Sequence, residues 1–331
     1  MGTVNVLVTG GAGFIGSHVA KELIKSNYQV VVLDDLSGGF KRNIPHKAIF
    51  IQGSILDEGL IESLFKEYNF QNVFHLAAYA AEGLSHFIRK FNYSNNVIGS
   101  INLVNAAVKY NVERFVFTSS IAVYGSGQVP FTEETSPKPE DPYGIAKYAV
   151  ELDLEAAHLQ FGLNYTIFRP HNVYGVGQNL SDPYRNVVGI FMRQILNNTS
   201  LTIYGNGEQT RAFTHISSIS SAIAQCIEIE ATENETYNLG ADKSTSINEL
   251  AAMLLDITNT KNELIHVEAR NEVMNAFSNH EKAIQHFGKS DFVSLMSGLK
   301  EVWDWAKELE LKPTNSFKNI EIQKGIPKNW T

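Results

Sequence analysis

Tyr143 and Lys147 stand one helical turn apart in Asp141-Pro142-Tyr143-Gly144-Ile145-Ala146-Lys147, which places a phenol and an ammonium on one helix face. Asp141 suits a helix N-cap, and Pro142 suits the first helical position because its missing N–H would have had no partner there. A nearby cation favours a phenolate. An unperturbed tyrosine near ~10 must nevertheless fall to near neutrality to act as a base, roughly 4 kcal/mol of differential stabilisation. One lysine cannot supply all of that; a positively charged cofactor ring could supply the rest. A bare Tyr-x-x-x-Lys is more often a surface tyrosine with a solvated lysine, so the elements around it must carry the assignment.

Those elements begin at the N-terminus. An apolar run from Val4 to Thr9 leads into Gly10-Gly11-Ala12-Gly13-Phe14-Ile15-Gly16, then a helix from His18 to Ser26, then a strand from Gln29 to Leu33 ending in Asp34-Asp35. Strand, glycine turn, helix, strand and acid follow in the order of a dinucleotide-binding unit. Gly10 makes the tight turn, Gly13 lets the backbone approach a pyrophosphate, and Gly16 lets helix and strand pack closely. The helix N-terminus, which follows Phe14 and Ile15, offers free N–H groups to phosphates. Asp34 would accept from ribose hydroxyls and, with Asp35, repel a 2′-phosphate. NAD is therefore expected over NADP, with Lys41 and Arg42 as the opposing signal.

The alternation continues with a strand from Ala48 to Gln52, where Ser54 and Ile55 after its end could face an adenine, and a helix from Leu56 to Glu67. A strand from Val73 to Leu76 opens into the small residues Ala77 and Ala78. A helix runs from Asn95 to Tyr110, with Asn96 at its start, and a strand from Phe115 to Phe117 ends in Thr118-Ser119-Ser120. The Tyr143 helix reaches about Phe161, and a strand spans Tyr165 to Phe168. Six strands alternating with helices predict an α/β fold with a doubly wound parallel sheet, ligand lying over the carboxyl ends of its strands. Asp34, Ala77, Ser120 and Arg169 all follow strand ends and should converge on one crevice. Beyond Arg169 the pattern is less regular: helices near Asn186–Leu196, Ile216–Glu228, Ile247–Ile257 and Leu295–Leu309, strands at Leu201–Tyr204 and Thr236–Leu239, and a polar tail after Lys312 that should wrap the surface. Residues 1–169 with about 212–240 should form the cofactor domain, and 170–211 with 241–331 a smaller lobe.

The chain has 331 residues, 44% hydrophobic and 19% charged, enough for one large unit with a smaller one attached. A net charge of -8 argues against a nucleic-acid surface. Cys226 is the single cysteine, which excludes an internal disulfide and any multi-cysteine metal site; it should pack beside Ile223 and Ile227. No metal site is expected. No apolar run approaches ~20 residues and the first strand starts almost at once, so a cytoplasmic chain without membrane contact is expected.

Thr-Gly-Gly-Ala-Gly-Phe-Ile-Gly, Thr118-Ser119-Ser120 followed by Val123-Tyr124-Gly125, and Tyr143-x-x-x-Lys147 together resemble the extended short-chain dehydrogenase/reductase family, in particular its nucleotide-sugar epimerases and dehydratases. The resemblance covers nearly the whole chain and implies a Rossmann-type fold, with a C-terminal lobe for a UDP-sugar and a homodimer built from two helices per subunit. Candidate stretches for that interface are Ile101–Val108 and Ala149–Leu159. It makes Tyr143 the acid/base, Lys147 the residue that lowers its pKa and holds the nicotinamide ribose, and Ser120 (less favoured, Ser119) the hydrogen-bond partner of the reacting hydroxyl. It places Leu76, Ala77, Ala78, Asn96, Ser119 and Pro170 on the cofactor.

By resemblance, Asn172 in Arg169-Pro170-His171-Asn172-Val173-Tyr174-Gly175 binds substrate, Asn186 and Val187 meet the pyrophosphate at a helix start, and Thr202 and Tyr204 flank the uracil. Arg211 in Thr-Arg-Ala-Phe, with Arg270 as its partner, is assigned to the diphosphate, which planar charge-assisted forks suit. Ala276 falls where some members carry a bulky tyrosine beside the sugar 2-substituent, so an N-acetyl group could be admitted. Dehydratases and decarboxylases of the family place an acid just after the catalytic Ser/Thr. Here those positions are Ile121 and Ala122, so return of the hydride to the other sugar face, a 4-epimerisation, is favoured. A 4,6-dehydratase, a UDP-uronic acid 4-epimerase and a non-catalytic NAD-binding scaffold are the alternatives. Tyr79-Ala80 departs from the Leu-Lys of the commonest galactose epimerases, and Glu82 and His86 add polar groups near the sugar.

Overall fold

The computed structural model describes residues 4–270, 272–289, 293–310, 317–327 and 330. Its centre is a seven-stranded sheet built from β1 (Asn5–Thr9), β2 (Gln29–Asp34), β3 (Ile49–Gln52), β4 (Asn72–His75), β5 (Arg114–Thr118), β6 (Tyr165–Pro170) and β11 (Glu235–Leu239). The spatial order is β11-β6-β5-β4-β1-β2-β3, every neighbouring pair parallel. Order reverses between β1 and β4, the switch point at which a doubly wound sheet opens a crevice.

The strands read as continuous apolar runs because both faces are covered. Val6 and Val8 face α1 (Phe14–Lys25) and α8 (Ser217–Gln225), together with Val19, Leu23, Ile219 and Ile223. Leu7 points the other way, into a core with Leu64 of α2 (Glu58–Tyr68), Leu103 of α5 (Gly99–Lys109) and Leu154 of α6 (Pro142–Phe161). Asp57 caps α2 through Leu60 N–H, and Asp141 caps α6 through Gly144 N–H at 2.9 Å, with Pro142 at its start. Cys226 is buried in the first core beside Ile223 and Ile227.

The expected helix from Asn95 is a composite: α4 (Arg89–Tyr93), a π segment over Ser94–Ile98, then α5. β6 runs two residues beyond the expected Phe168, so Arg169 lies within the strand and not after it.

A second core joins α7 (Val187–Leu196), β8 (Leu201–Tyr204), α9 (Ile247–Thr258) and α11 (Leu295–Ala306). Ser246 and Glu249 cap α9 reciprocally as a capping box. Short pairings that the sequence did not announce tie this part together. β7 (Val173–Tyr174) pairs with β10 (Thr214–His215) and β8 with β13 (Leu264–Val267), while β9 (Thr210–Ala212) lies between β12 (Ser244–Ser246) and β14 (Asn275–Ala276). α10 (Glu281–Phe287), allotted above to the second lobe, returns to the sheet, where Phe287 packs on Phe168 and Tyr237.

Of the tail after Lys312, residues 313–316, 328, 329 and 331 lie outside the described residues. The described part folds back on α3 (Glu82–Ser85) and α4: Phe317 packs on Tyr79 and Phe91, Trp330 packs on Phe87 and Tyr184, and the Glu321 carboxylate accepts from the Lys90 and Phe91 N–H groups. Among the described residues no helix is long and apolar enough to cross a membrane, and no group of three or more His, Cys, Asp or Glu is placed to hold a metal ion.

Candidate active site

A cavity of about 690 Å³ opens over the carboxyl ends of the strands and extends between the sheet and the second core. Of the site residues proposed above, all but Asn96 and Ala276 line it.

On the sheet side the glycine turn forms a cradle with no room for side chains. Gly10 takes φ 72°, and a Cβ there would stand 2.7 Å from the Ala77 nitrogen. A Cβ on Gly16 would press into the Gly10 carbonyl. Gly13 caps α1 without a side-chain hydrogen bond, which leaves the first-turn N–H groups of α1 for an anion. Asp34 is buried; it accepts from Ala12 N–H at 3.0 Å and Leu36 N–H at 2.8 Å, and burial raises its carboxyl above the usual range. Lys41 and Arg42 do not line the cavity but lie over the rings of Phe50 and Phe40. Ser119 lines the wall with a buried hydroxyl that has no partner within the described residues. A glycine cradle, unused helix N–H groups, an acid and an orphaned hydroxyl fit a dinucleotide.

Tyr143 and Lys147 point inward from α6 and both are buried. Lys147 Nζ donates to the Thr118 carbonyl at 2.8 Å and stands 5.9 Å from the Tyr143 ring centre. Burial pushes the ammonium down to about 7, opposed by the Glu151 carboxylate. Burial and then the Glu82 charge push the Tyr143 phenol above its ordinary value; the Ser120 hydroxyl opposes this. Protein groups alone thus favour the neutral phenol. Ser120 Oγ also accepts from Ala122 N–H at 3.2 Å and caps the short 3-10 turn Ile121–Tyr124. The α6 start is tied to α3, since Ser85 Oγ accepts from Tyr143 N–H at 3.3 Å.

The opposite wall comes from the second core. Asn186 caps α7 through Val188 N–H at 3.0 Å and donates to the Val173 carbonyl. Arg211 and Arg270 approach one carboxylate, Glu272, at 3.5 and 3.1 Å, and Arg270 lies over the Tyr204 ring. Two guanidiniums sharing one acid retain donors for a diphosphate. Asn172, Val187 and Thr202 line the same wall, and Pro170 the seam.

Three expectations are corrected by these placements. Arg169 does not reach the crevice; its guanidinium is buried on Glu151 at 2.5 and 3.1 Å and on the Tyr124 hydroxyl at 2.8 Å. Asn96 sits behind the wall, where its amide bonds the Tyr79 backbone on both sides. Ala276 is buried with Ile121, Val123 and Phe131 and does not line the cavity. Val273 reaches the cavity instead.

Other cavity residues were not anticipated. Arg185, ion-paired to Asp182 at 2.9 Å, lies over the Tyr79 ring; Gln178 is buried with both amide atoms unpartnered; Trp330 comes from the tail. The Tyr-Arg-Asn run before α7 was a signal for Arg185, whereas nothing local pointed to Trp330.

The model of the NAD dependent epimerase/dehydratase family matches residues 6–240. The chain belongs to that family. Its cofactor is NAD. The chain is 36% identical over 306 residues to a putative UDP-glucose 4-epimerase of Methanocaldococcus jannaschii, covering 91% of this chain and 98% of that one. It is 32% identical to a UDP-N-acetyl-alpha-D-glucosaminuronate decarboxylase of Bacillus cytotoxicus (92% and 98% covered) and 31% identical to human dTDP-D-glucose 4,6-dehydratase (96% and 92% covered). Among solved structures, the UDP-glucose 4-epimerase of Thermotoga maritima with UDP-glucose superposes at TM-score 0.86 with 37% identity, covering 91% and 98%. That of Thermus thermophilus with NAD superposes at TM-score 0.87 with 28% identity, covering 92% and 99%. Family membership therefore fixes a nucleotide-sugar epimerase/dehydratase, a group whose members divide by the fate of the sugar.

Proposed function

We propose that the protein is an NAD-dependent UDP-hexose 4-epimerase acting on UDP-glucose and UDP-galactose, their N-acetyl forms, or both. The observation that carries this is the side chains after Ser120. Ile121 packs into an apolar cluster with Val123, Tyr124 and Phe131, and neither it nor Ala122 lines the cavity. No proton donor for eliminating water follows Ser120.

When bound, NAD supplies an acceptor for the C4 hydride and later its donor. The chain moves the proton: Tyr143 Oη takes it from the sugar 4-hydroxyl as C4 becomes a ketone, and returns it when hydride reaches the opposite face. Ser120 Oγ holds the same oxygen. Arg211 and Arg270 hold the diphosphate while the keto-sugar turns. Leu152, Leu159 and Phe161 are apolar and exposed on α6, as a homodimer through that helix would require, whereas Val104 and Ala107 of α5 are core.

Glu82 favours one second reading. Its carboxyl faces the cavity and acts on Tyr143, so it could protonate a departing 6-hydroxyl in a 4,6-dehydration. The test is NMR of products after incubation with UDP-glucose and UDP-N-acetylglucosamine. A mixture of C4 epimers without net NAD consumption is expected; a UDP-4-keto-6-deoxy sugar would overturn the epimerase reading. Tyr143→Phe should lower kcat by about 10²- to 10⁴-fold while UDP still binds.

A further inference from the structure

Charges around the sugar end of the cavity are paired with one notable omission. Arg185 has Asp182, and Arg211 and Arg270 share Glu272. Asp141 is engaged as the cap of α6. Glu82, the first residue of α3, lines the cavity, and its carboxylate has no hydrogen bond or ion pair among the described residues. Its backbone is fixed. The Glu82 carbonyl accepts from Ser85 Oγ at 2.6 Å, and the same hydroxyl accepts from Tyr143 N–H, so the acid is held to the helix start that carries the phenol. Gly83 beside it is walled in by Trp330 and Arg270: a Cβ there would stand 3.1 Å from the indole and 3.8 Å from the guanidinium.

Glu82 is open to the cavity, yet protein closes around that space; this enclosure, with the Asp141 charge, raises its carboxyl to about 7, against Arg211 and Arg270. The carboxylate is exposed within the cavity and has no protein donor among the described residues, so it is free to accept a hydrogen bond from a ligand that displaces water there.

We infer that Glu82 selects the sugar: it accepts a hydrogen bond from an uncharged hexose beside the carbon that Tyr143 addresses, and it turns away sugars that carry a carboxylate there. This rests on the epimerase reading for the identity of that carbon and deepens it to a substrate class, neutral UDP-hexoses and not UDP-uronates. Two like charges a few ångströms apart in such a site separate the two classes by on the order of 100-fold.

The test uses calorimetric binding to NAD-loaded Tyr143→Phe protein at about pH 8.5, where Glu82 is ionised. UDP-glucose should bind on the order of 100-fold more tightly than UDP-glucuronate. Glu82→Gln in the same background should bring the two within a few-fold, chiefly by tightening UDP-glucuronate, with UDP alone unchanged as the check on folding. Equal affinities, a preference for the uronate, or a ratio that Glu82→Gln does not move would overturn the inference. A Glu82→Gln protein that has lost UDP binding is replaced by Glu82→Ala, for which the same narrowing is required. Formation of a keto-deoxy product by the unsubstituted enzyme sinks the epimerase reading separately and leaves the binding ratio to be judged by itself.

Discussion

Lys147 makes the physical state of this site measurable without any substrate. Its side chain is 3% exposed and its ammonium is pushed down to about 7. In the unfolded chain the same group titrates near ~10.4. Between those values the unfolded state holds one more proton than the folded state, so stability rises with pH at about 1.4 kcal/mol per pH unit. From about pH 7.5 to about pH 9 the gain is roughly 2 kcal/mol.

Other groups blur the raw curve. His75 and His171, pushed down to about 3, have almost finished contributing by this window. Glu82, raised to about 7, destabilises only as pH climbs toward that value. Cys226, raised to about 12, acts against Lys147 because its unfolded thiol starts to ionise near ~8.5. Lys147→Met removes one contributor and leaves the rest, so the difference between the two proteins isolates the ammonium. An unfolding entropy of about 2.1 cal/mol/K per residue over 331 residues gives about 0.7 kcal/mol/K. Cofactor-free wild type should therefore gain about 3 °C in Tm over this window relative to Lys147→Met, read by scanning calorimetry in matched ionic strength. Parallel pH curves would show that Lys147 keeps its proton unaided, and that the phenol does not depend on the cofactor for its activating charge.

Gly16→Ala should abolish NAD binding in titration calorimetry, because the new methyl meets the Gly10 carbonyl within the turn; retention within ten-fold would refute the cradle. Glu151→Ala should cost about 3–5 kcal/mol in urea unfolding, since it strands the buried Arg169 guanidinium, and a loss under about 1 kcal/mol would show that water reaches that site. Arg211→Ala and Arg270→Ala should each raise KM for a UDP-sugar by about 10- to 100-fold with a smaller change in kcat, each losing a charge-assisted contact of about 1.5–3 kcal/mol. Unchanged KM in both would remove the diphosphate from that wall.

The parts of the site that were legible in the sequence are those made by local backbone. A glycine turn between a strand and a helix can take few shapes, and a Tyr and Lys one turn apart share a face wherever the helix goes; both stand where spacing put them. Arg169 shows where such reasoning fails. The rule that polar residues after strand ends face the crevice was applied to a residue inside β6, and its true partner, Glu151, lies one further turn along α6 from Lys147. That acid also opposes the burial of Lys147, so one carboxylate steadies a structural arginine and the catalytic-face ammonium, a coupling no periodicity reveals.

Ala276 failed for a related reason. Its assignment depended on register across a variable loop, and the short β14 turns it into the cluster under Ile121. Arg185 and Trp330 went unseen for a third cause. They reach the cavity from the approach to α7 and the tail, segments too short or irregular to carry a period, whose positions come from packing on Tyr79, Phe87 and Tyr184. The cofactor half of the cleft is thus made by backbone shape, while the sugar half is made by tertiary placement. A chain can therefore keep the first and exchange the second, which is why relatives with similar identity carry epimerase, dehydratase and decarboxylase names, and why the sugar must be argued from Glu82 and its neighbours.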